Sequence, residues 1–366
     1  MRIALAVALA LAASAAQALA PLPELPPPPA DNPMSAAKVA LGRQLFFEPR
    51  LSLDGTVSCA SCHDVIKGTG VDGRATSVGV AGKTGSRNAP TVWNAALLNT
   101  LFWDGRAASL EEQSKGPLIN PVEMAMPDHK AVVARLKQIP GYTRQFAAVF
   151  GGADPLTIDN VARAIAAYER TLLTPDSPVD RYLKGDKQAL SPQARQGMQL
   201  FQKLRCVGCH SSPTYAGYVR IPGAIFYPWN LQRFPYFKGS RYDSKYELTK
   251  DLGRFEVTRR EKDKHMFRIP SLRNVELTGP YMHNGKVPNL EEAVRVMAKT
   301  QLDKELKEEE VQALVAFLKG LTGRLPKQER PALPAERQPR AHPLPFCRAD
   351  CPPRRALTGP KPGQPG

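Results

Sequence analysis

Residues 158–174 and 308–323 place apolar side chains at helical spacing with polar ones between them, so each stretch predicts an amphipathic helix with one buried face. Laid over one another, the two agree: Ala164, Ala167 and Tyr168 correspond to Ala313, Ala316 and Phe317. A second repeat lies upstream of each, Gly-x-x-Leu-Phe at Gly42–Phe46 and again at Gly197–Phe201. The pattern predicts a mainly α chain in which one unit occurs twice, a leading helix and a closing helix framing a long run of loops. The turn-forming Thr174-Pro175-Asp176 and Lys184-Gly185-Asp186 put the junction near residue 185, giving units 34–185 and 186–324.

Both ends depart from this pattern. Met1-Arg2, an alanine- and leucine-rich run and Ala16-Gln17-Ala18 read as a secretory signal over residues 1–18. A cut after Ala18 is preferred, since one after Ala20 would leave Pro21 at the new terminus. Residues 19–33 form a Pro-rich leader. From 325 to 366 the chain is rich in Pro and Arg and poor in large apolar residues, so it is expected to stay disordered for want of surface to bury. Past the signal no run of apolar residues is long enough for a membrane helix.

Each unit carries Cys-x-x-Cys-His: Cys59, Cys62 and His63 in the first, Cys206, Cys209 and His210 in the second. This spacing suits covalent haem attachment, with two thiols adding to vinyl groups on one porphyrin edge and the adjoining histidine reaching the iron. A zinc site would need a second thiol or imidazole pair nearby. The remaining cysteines, Cys347 and Cys351, lie in the tail without a following histidine, and a local disulfide is the expectation there. Two covalently bound haem c groups are therefore expected, one per cytochrome c-type domain in tandem. Bacterial haem attachment takes place outside the cytoplasmic membrane, which agrees with a signal peptide and points to the periplasm. The net charge of +16, concentrated partly in the tail, then reads as a surface that steers small acidic redox proteins, with nucleic acid excluded as a partner.

Arg87-Asn88-Ala89-Pro90-Thr91-Val92, Phe102-Trp103-Asp104-Gly105-Arg106 and Val122-Glu123-Met124 occur in order in the first unit. Leu272-Arg273-Asn274, Leu277-Thr278-Gly279-Pro280-Tyr281-Met282-His283 and Ala293-Val294-Arg295-Val296-Met297 follow in the second. Over roughly residues 35–323 the chain resembles the bacterial di-haem cytochrome c peroxidases, and also the related methylamine dehydrogenase maturation enzymes. The resemblance implies an enzyme that reduces hydrogen peroxide with electrons from a small cytochrome c or cupredoxin. It implies that the first haem is the peroxide site, with Trp103 between the haems as electron relay and Gln113 and Glu123 lining the peroxide face. Glu123 is then the acid-base residue. The second haem stores electrons, with Met297 as its sixth ligand; Met266, Met282, His265 and His283 compete by residue type. A calcium ion held by the Asn88 side chain and the carbonyls of Thr278 and Pro280 is also implied, and so is a homodimer.

One position departs from the pattern. Where many members carry a distal histidine in Thr-Ser-x-Gly-His, this chain has Thr76-Ser77-Val78-Gly79-Val80. Valine cannot ligate iron, so the first haem is expected to be open in the ferric state, with Met124, Met126 or His129 the substitutes by sequence proximity. A maturation-type oxidase would have tyrosine at the Met297 position, and a plain di-haem carrier would close both irons; those are the two alternative readings.

Overall fold

A computed structural model describes residues 19–22, 28–217 and 230–336. The signal at residues 1–18 and the Cys347/Cys351 pair lie outside the described residues. The architecture is mainly helical. The first unit contains α1 (Ala36–Phe46), the one-turn α2 (Cys59–Cys62), α3 (Leu110–Ile119), α4 (His129–Lys137), α5 (Pro140–Phe150) and α6 (Ile158–Glu169). The second contains α7 (Pro178–Leu183), α8 (Pro192–Lys203), α9 (Arg241–Lys245), α10 (Phe255–Thr258), α11 (Leu290–Leu302) and α12 (Glu308–Lys319). Strands β1 (Leu231–Arg233) and β2 (Met266–Arg268) form an antiparallel ribbon pairing Leu231 with Arg268 and Arg233 with Met266. Among the described residues, no helix is long and apolar enough to cross a membrane.

The helices begin where side chains satisfy their free backbone N–H groups. Ser35, Ser109, Thr157, Ser191 and Asn289 each accept a hydrogen bond from the first turn of the helix they precede. Proline at the first position of α7 and α8 fixes the entry angle where no amide donor is needed.

The predicted duplication is a packing motif. α1 crosses α6 so closely that a Cβ on Gly42 would lie 1.8 Å from the Ala164 carbonyl oxygen; a Cβ on Gly197 would lie 1.8 Å from that of Ala313 where α8 crosses α12. Tyr168 and Phe317, the matched aromatics, sit one turn beyond each crossing and are fully buried. Around these crossings Leu41, Leu45, Phe46 and Ile165 form one core, and Phe201, Val311, Phe317 and Leu321 the other.

The units meet at Thr174. Asn94 and Asn274, both with positive φ and each leading into a single 3-10 turn, donate through Nδ2 to the Thr174 hydroxyl at 2.8 and 2.9 Å. Directly afterwards α7 sinks Val179 into the second core, so the change of core comes ahead of the turn near residue 185. Its Asp180 forms a fully buried ion pair with Arg273, at 2.7 Å.

The ends cross over. Leu19 packs into the second core and the Leu22 amide donates to Asp180. At the other end, composition predicted no structure from residue 325 onward, yet 325–336 lie along the first unit. Leu325 packs on its core, Tyr168 donates to the Gln328 side chain at 3.0 Å, and Pro334 covers Gly141. A few well-placed apolar contacts order a segment whose average composition is poor in them.

Alanine at an exposed helical glycine ordinarily stabilises by up to about 1 kcal/mol. Here the sign reverses: Gly42→Ala and Gly197→Ala are each expected to lose about 1–3 kcal/mol through overpacking. Urea unfolding of the holoprotein reads this directly, and a midpoint at or above that of the parent protein would contradict the crossing.

Candidate functional site

The second attachment turn follows α8 by a short link. Arg205 adopts a left-handed conformation, Cys206–Gly208 make one 3-10 turn, and the His210 amide closes back on the Cys206 carbonyl at 2.9 Å. The His210 ring is buried, with Nδ1 2.9 Å from the Tyr215 carbonyl oxygen. A carbonyl can only accept, so Nδ1 carries the proton and the lone pair falls on Nε2, as an iron ligand requires. Burial lowers the imidazole pKa, keeping the ring neutral.

A cavity of about 310 Å3 opens beside this histidine, lined by Cys206, Cys209, His210 and Met297. Its remaining wall is largely apolar, from Phe201, Leu272, Val294 and Leu314 among others. Two free thiols, a fixed imidazole and a thioether around one apolar cavity fit a haem. Zinc does not fit. Burial pushes the Cys62 and Cys206 thiols up to about 11, away from the thiolate a metal needs, and no cluster of three or more His, Cys, Asp or Glu residues able to hold a metal occurs among the described residues. Met282 and His283 also line the cavity, whereas Met266 and His265 are not part of its wall.

In the first unit, α2 is held at its start by Ser58 and Ser61, and the His63 amide returns to the Cys59 carbonyl at 3.0 Å. His63 Nδ1 is buried without a hydrogen-bond partner among the described residues. Burial lowers its pKa, opposed by the carbonyls of Gly70 and Pro90, much as those of Tyr215 and Pro270 act on His210. The repeat therefore extends to the strand of chain that backs each histidine.

Glu123 belongs to this half. The loop after α3 folds back on its helix, Met124 and Met126 donating to the carbonyls of Pro117 and Leu118 at 3.2 and 2.9 Å. That return carries Glu123 to the attachment turn, where its charge bears on both Cys59 and Cys62. Burial raises its pKa, opposed by Arg106 and by Asn120 Nδ2 donating to Oε1 at 2.6 Å. Gln113 lies half-buried on α3. The Val80 amide donates to the Glu123 carbonyl at 2.9 Å, and Gly79 sits so tightly there that a Cβ would come within 2.2 Å of the Val122 oxygen. Val80, Met124 and Met126 are all buried in the first core. His129 instead places Nε2 3.1 Å from the Lys115 carbonyl oxygen.

Trp103 occupies the junction and lines the second cavity, as do Asn88, Thr278 and Pro280. Its Nε1 donates to the Asn88 carbonyl at 2.9 Å, and its own carbonyl accepts from the Arg268 amide at 2.7 Å. Asn88 spends its Nδ2 on the carbonyls of Arg74 and Ala75, at 2.9 and 3.3 Å. Flanking the tryptophan, Arg87 bridges the units, bonding Asp104 at 2.6 Å and both carboxylate oxygens of Asp251 at 2.6 and 2.8 Å.

Sequence reading passed over two buried charged residues. Glu169 ends α6, and burial pushes its carboxyl up to about 8 against the opposing charge of Arg170; it bears on the Cys59 thiol. Arg268 ends β2 on the wall of the second cavity. Neither stands in a motif, and only the folded chain brings them to the haem sites.

A family model described as di-haem cytochrome c peroxidase matches residues 36–188. The chain is 44% identical over 298 residues to the cytochrome c peroxidase Ccp of Escherichia coli (strain K12), covering 81% of this chain but 60% of that longer protein. It is 42% identical over 316 residues to the cytochrome c551 peroxidase of Pseudomonas aeruginosa, covering 86% of this chain and 87% of that one. A solved structure of a MauG-like protein associated with microbial copper homeostasis is similar with a TM-score of 0.71 and 33% identity, over 82% of this chain and 95% of the other.

Removing Arg87 should expose the weight of the junction. Burial pushes the Asp251 carboxyl up and Arg87 more than reverses this, so its folded pKa lies below the ordinary 3.8. The pair therefore stabilises above pH 3.8, and its contribution is lost as pH falls through the lower folded value. Arg87→Ala is expected to cost about 3–5 kcal/mol at neutral pH. Equilibrium unfolding across pH would show the gap from wild type closing under acid conditions; a gap that is constant with pH would contradict the assignment.

Proposed function

Because this chain belongs to the di-haem cytochrome c peroxidase family of oxidoreductases, we propose that it reduces hydrogen peroxide to two waters in the first unit, using two protons and two electrons. The electrons come from a small cytochrome c or cupredoxin and enter through the second unit. Both haems are attached covalently, to Cys59 and Cys62 and to Cys206 and Cys209, and the protein acts in the periplasm after its signal is removed.

The observation that carries this reading is the pairing of Glu123 with Val80 beside the first attachment turn. A carboxyl whose pKa is raised by burial holds a proton where an exposed one would have lost it. Glu123 moves a proton from one peroxide oxygen to the other, so that the leaving oxygen departs as water. Oε1 is engaged by Asn120, which leaves Oε2 to carry that proton. Gln113 orients the peroxide through its amide. The bound haem supplies the exchangeable iron position and the electrons that O–O cleavage requires.

The residue at the usual distal position cannot ligate, and it is pinned. Val80 is buried and its amide is committed to the Glu123 carbonyl, so this loop provides no iron ligand to be released before turnover. In the second unit His210 and Met297 would hold the iron, and a thioether ligand there would favour the ferrous form. Trp103, with its indole N–H anchored on Asn88, relays between the haems. Asn88, Thr278 and Pro280 offer oxygen ligands of the kind a calcium ion takes at the junction. A homodimer is the proposed assembly. Met297 favours the peroxidase over a maturation-type oxidase, and Glu123 with Gln113 favours it over a carrier that never meets a substrate.

Two variants test the reading. Glu123→Gln is expected to lower kcat about one hundred- to ten-thousand-fold with both haems retained; wild-type turnover of peroxide with a reduced cytochrome would overturn the acid-base role. Wild-type enzyme should turn over from the fully oxidised state without a lag, whereas Val80→His should acquire a requirement for prior reduction. An equal lag in both proteins would exclude the open-site account.

A further inference from the structure

Among the described residues, the arginines that are buried are paired with a carboxylate, with one exception. Arg273 holds Asp180 and Arg170 holds Glu111, and the half-buried Arg87 likewise holds Asp104 and Asp251. Arg268 is only 4% exposed and forms no ion pair among the described residues. Its Nε donates to the Phe102 carbonyl and its Nη1 to the Ile269 carbonyl, both at 3.2 Å. The adjoining segment 218–229 has no Asp or Glu to offer. Burial alone drags this guanidinium down to about 10, with nothing opposing it. An uncompensated buried cation is costly, and proteins meet that cost with an anion.

The side chain lines the cavity that holds Cys206, Cys209, His210 and Met297. A haem brings two carboxylates, and one seated in this cavity would be the missing anion; Arg is suited to the task by its planar fork of donors. We propose that Arg268 is the internal counter-charge for a propionate of the second haem. The same residue reaches across the junction, its backbone amide donating to the Trp103 carbonyl and its guanidinium to that of Phe102. It thereby joins the charged edge of the second haem to the loop that carries the relay tryptophan. The inference rests on the reading that the second motif carries a haem.

A bare structural role would need only the bonds to carbonyls, which glutamine can partly supply; the counter-charge role needs the positive charge. Reduction potentials of both haems, followed by spectroelectrochemical titration of the purified holoprotein, distinguish these. Loss of a nearby cation favours the ferric state, so Arg268→Gln should lower the potential of the second haem while that of the first stays in place. Arg268→Lys should restore most of the shift. Unchanged potentials with both haems loaded, or a shift confined to the first haem, would overturn the assignment. Should Arg268→Gln lose the second haem, retention in Arg268→Lys supports the charge, and loss in both variants assigns the residue to packing and overturns it. Haem content of the wild type separates the premise: absence of the second haem there would defeat the haem reading and the arginine assignment with it, whereas unchanged potentials with two haems loaded defeat the arginine assignment alone.

Discussion

Backbone-to-backbone contact between helices, made twice, is the constraint on which this fold turns. At Gly42 and Gly197 the leading helix of each unit lies directly against a carbonyl of the closing helix, Ala164 or Ala313. Nothing larger than glycine fits. In the second unit the Cys-x-x-Cys-His segment follows the leading helix by a short link, whereas in the first a 3-10 turn at Pro49–Leu51 and a loop lie between the two. The matched aromatics Tyr168 and Phe317 fill the space next to each crossing. In the second unit the frame leaves an apolar cavity beside His210.

The two matched frames differ in loops that the crossing does not control. In the first unit, the return after α3 brings Glu123 to the attachment turn and locks Val80 behind it. In the second, α11 brings Met297 to the wall of the cavity that His210 also lines. The halves are held in one relation by Thr174, shared between the matched asparagines, by the Arg87 bridge, and by two chain ends that each pack on the other's unit. Trp103 stands where these restraints converge, tethered from both units.

Much of this was legible in the chain itself. The amphipathic helices could be read because their period is local, and the two Cys-x-x-Cys-His turns because their residues stand side by side in the chain. Glu123 and Trp103 carry no local signature, and only the resemblance singled them out. Arg268, Glu169 and the two asparagines that meet on Thr174 escaped because their meaning is relational: a lone arginine ending a three-residue strand says nothing until its cavity is known. Residues 325–336 misled for the opposite reason, since the average composition of the tail hides the few contacts made by Leu325, Gln328 and Pro334.

Unequal coordination of two irons in similar frames is the claim on which the functional account stands. Electron paramagnetic resonance of the fully oxidised, untreated holoprotein tests it most directly. The account predicts two ferric signals of equal weight, one high-spin from the His63 haem and one low-spin from the haem held by His210 and Met297. Two low-spin signals would contradict it, because the first iron would then be closed by a protein ligand that the Val80 segment cannot provide.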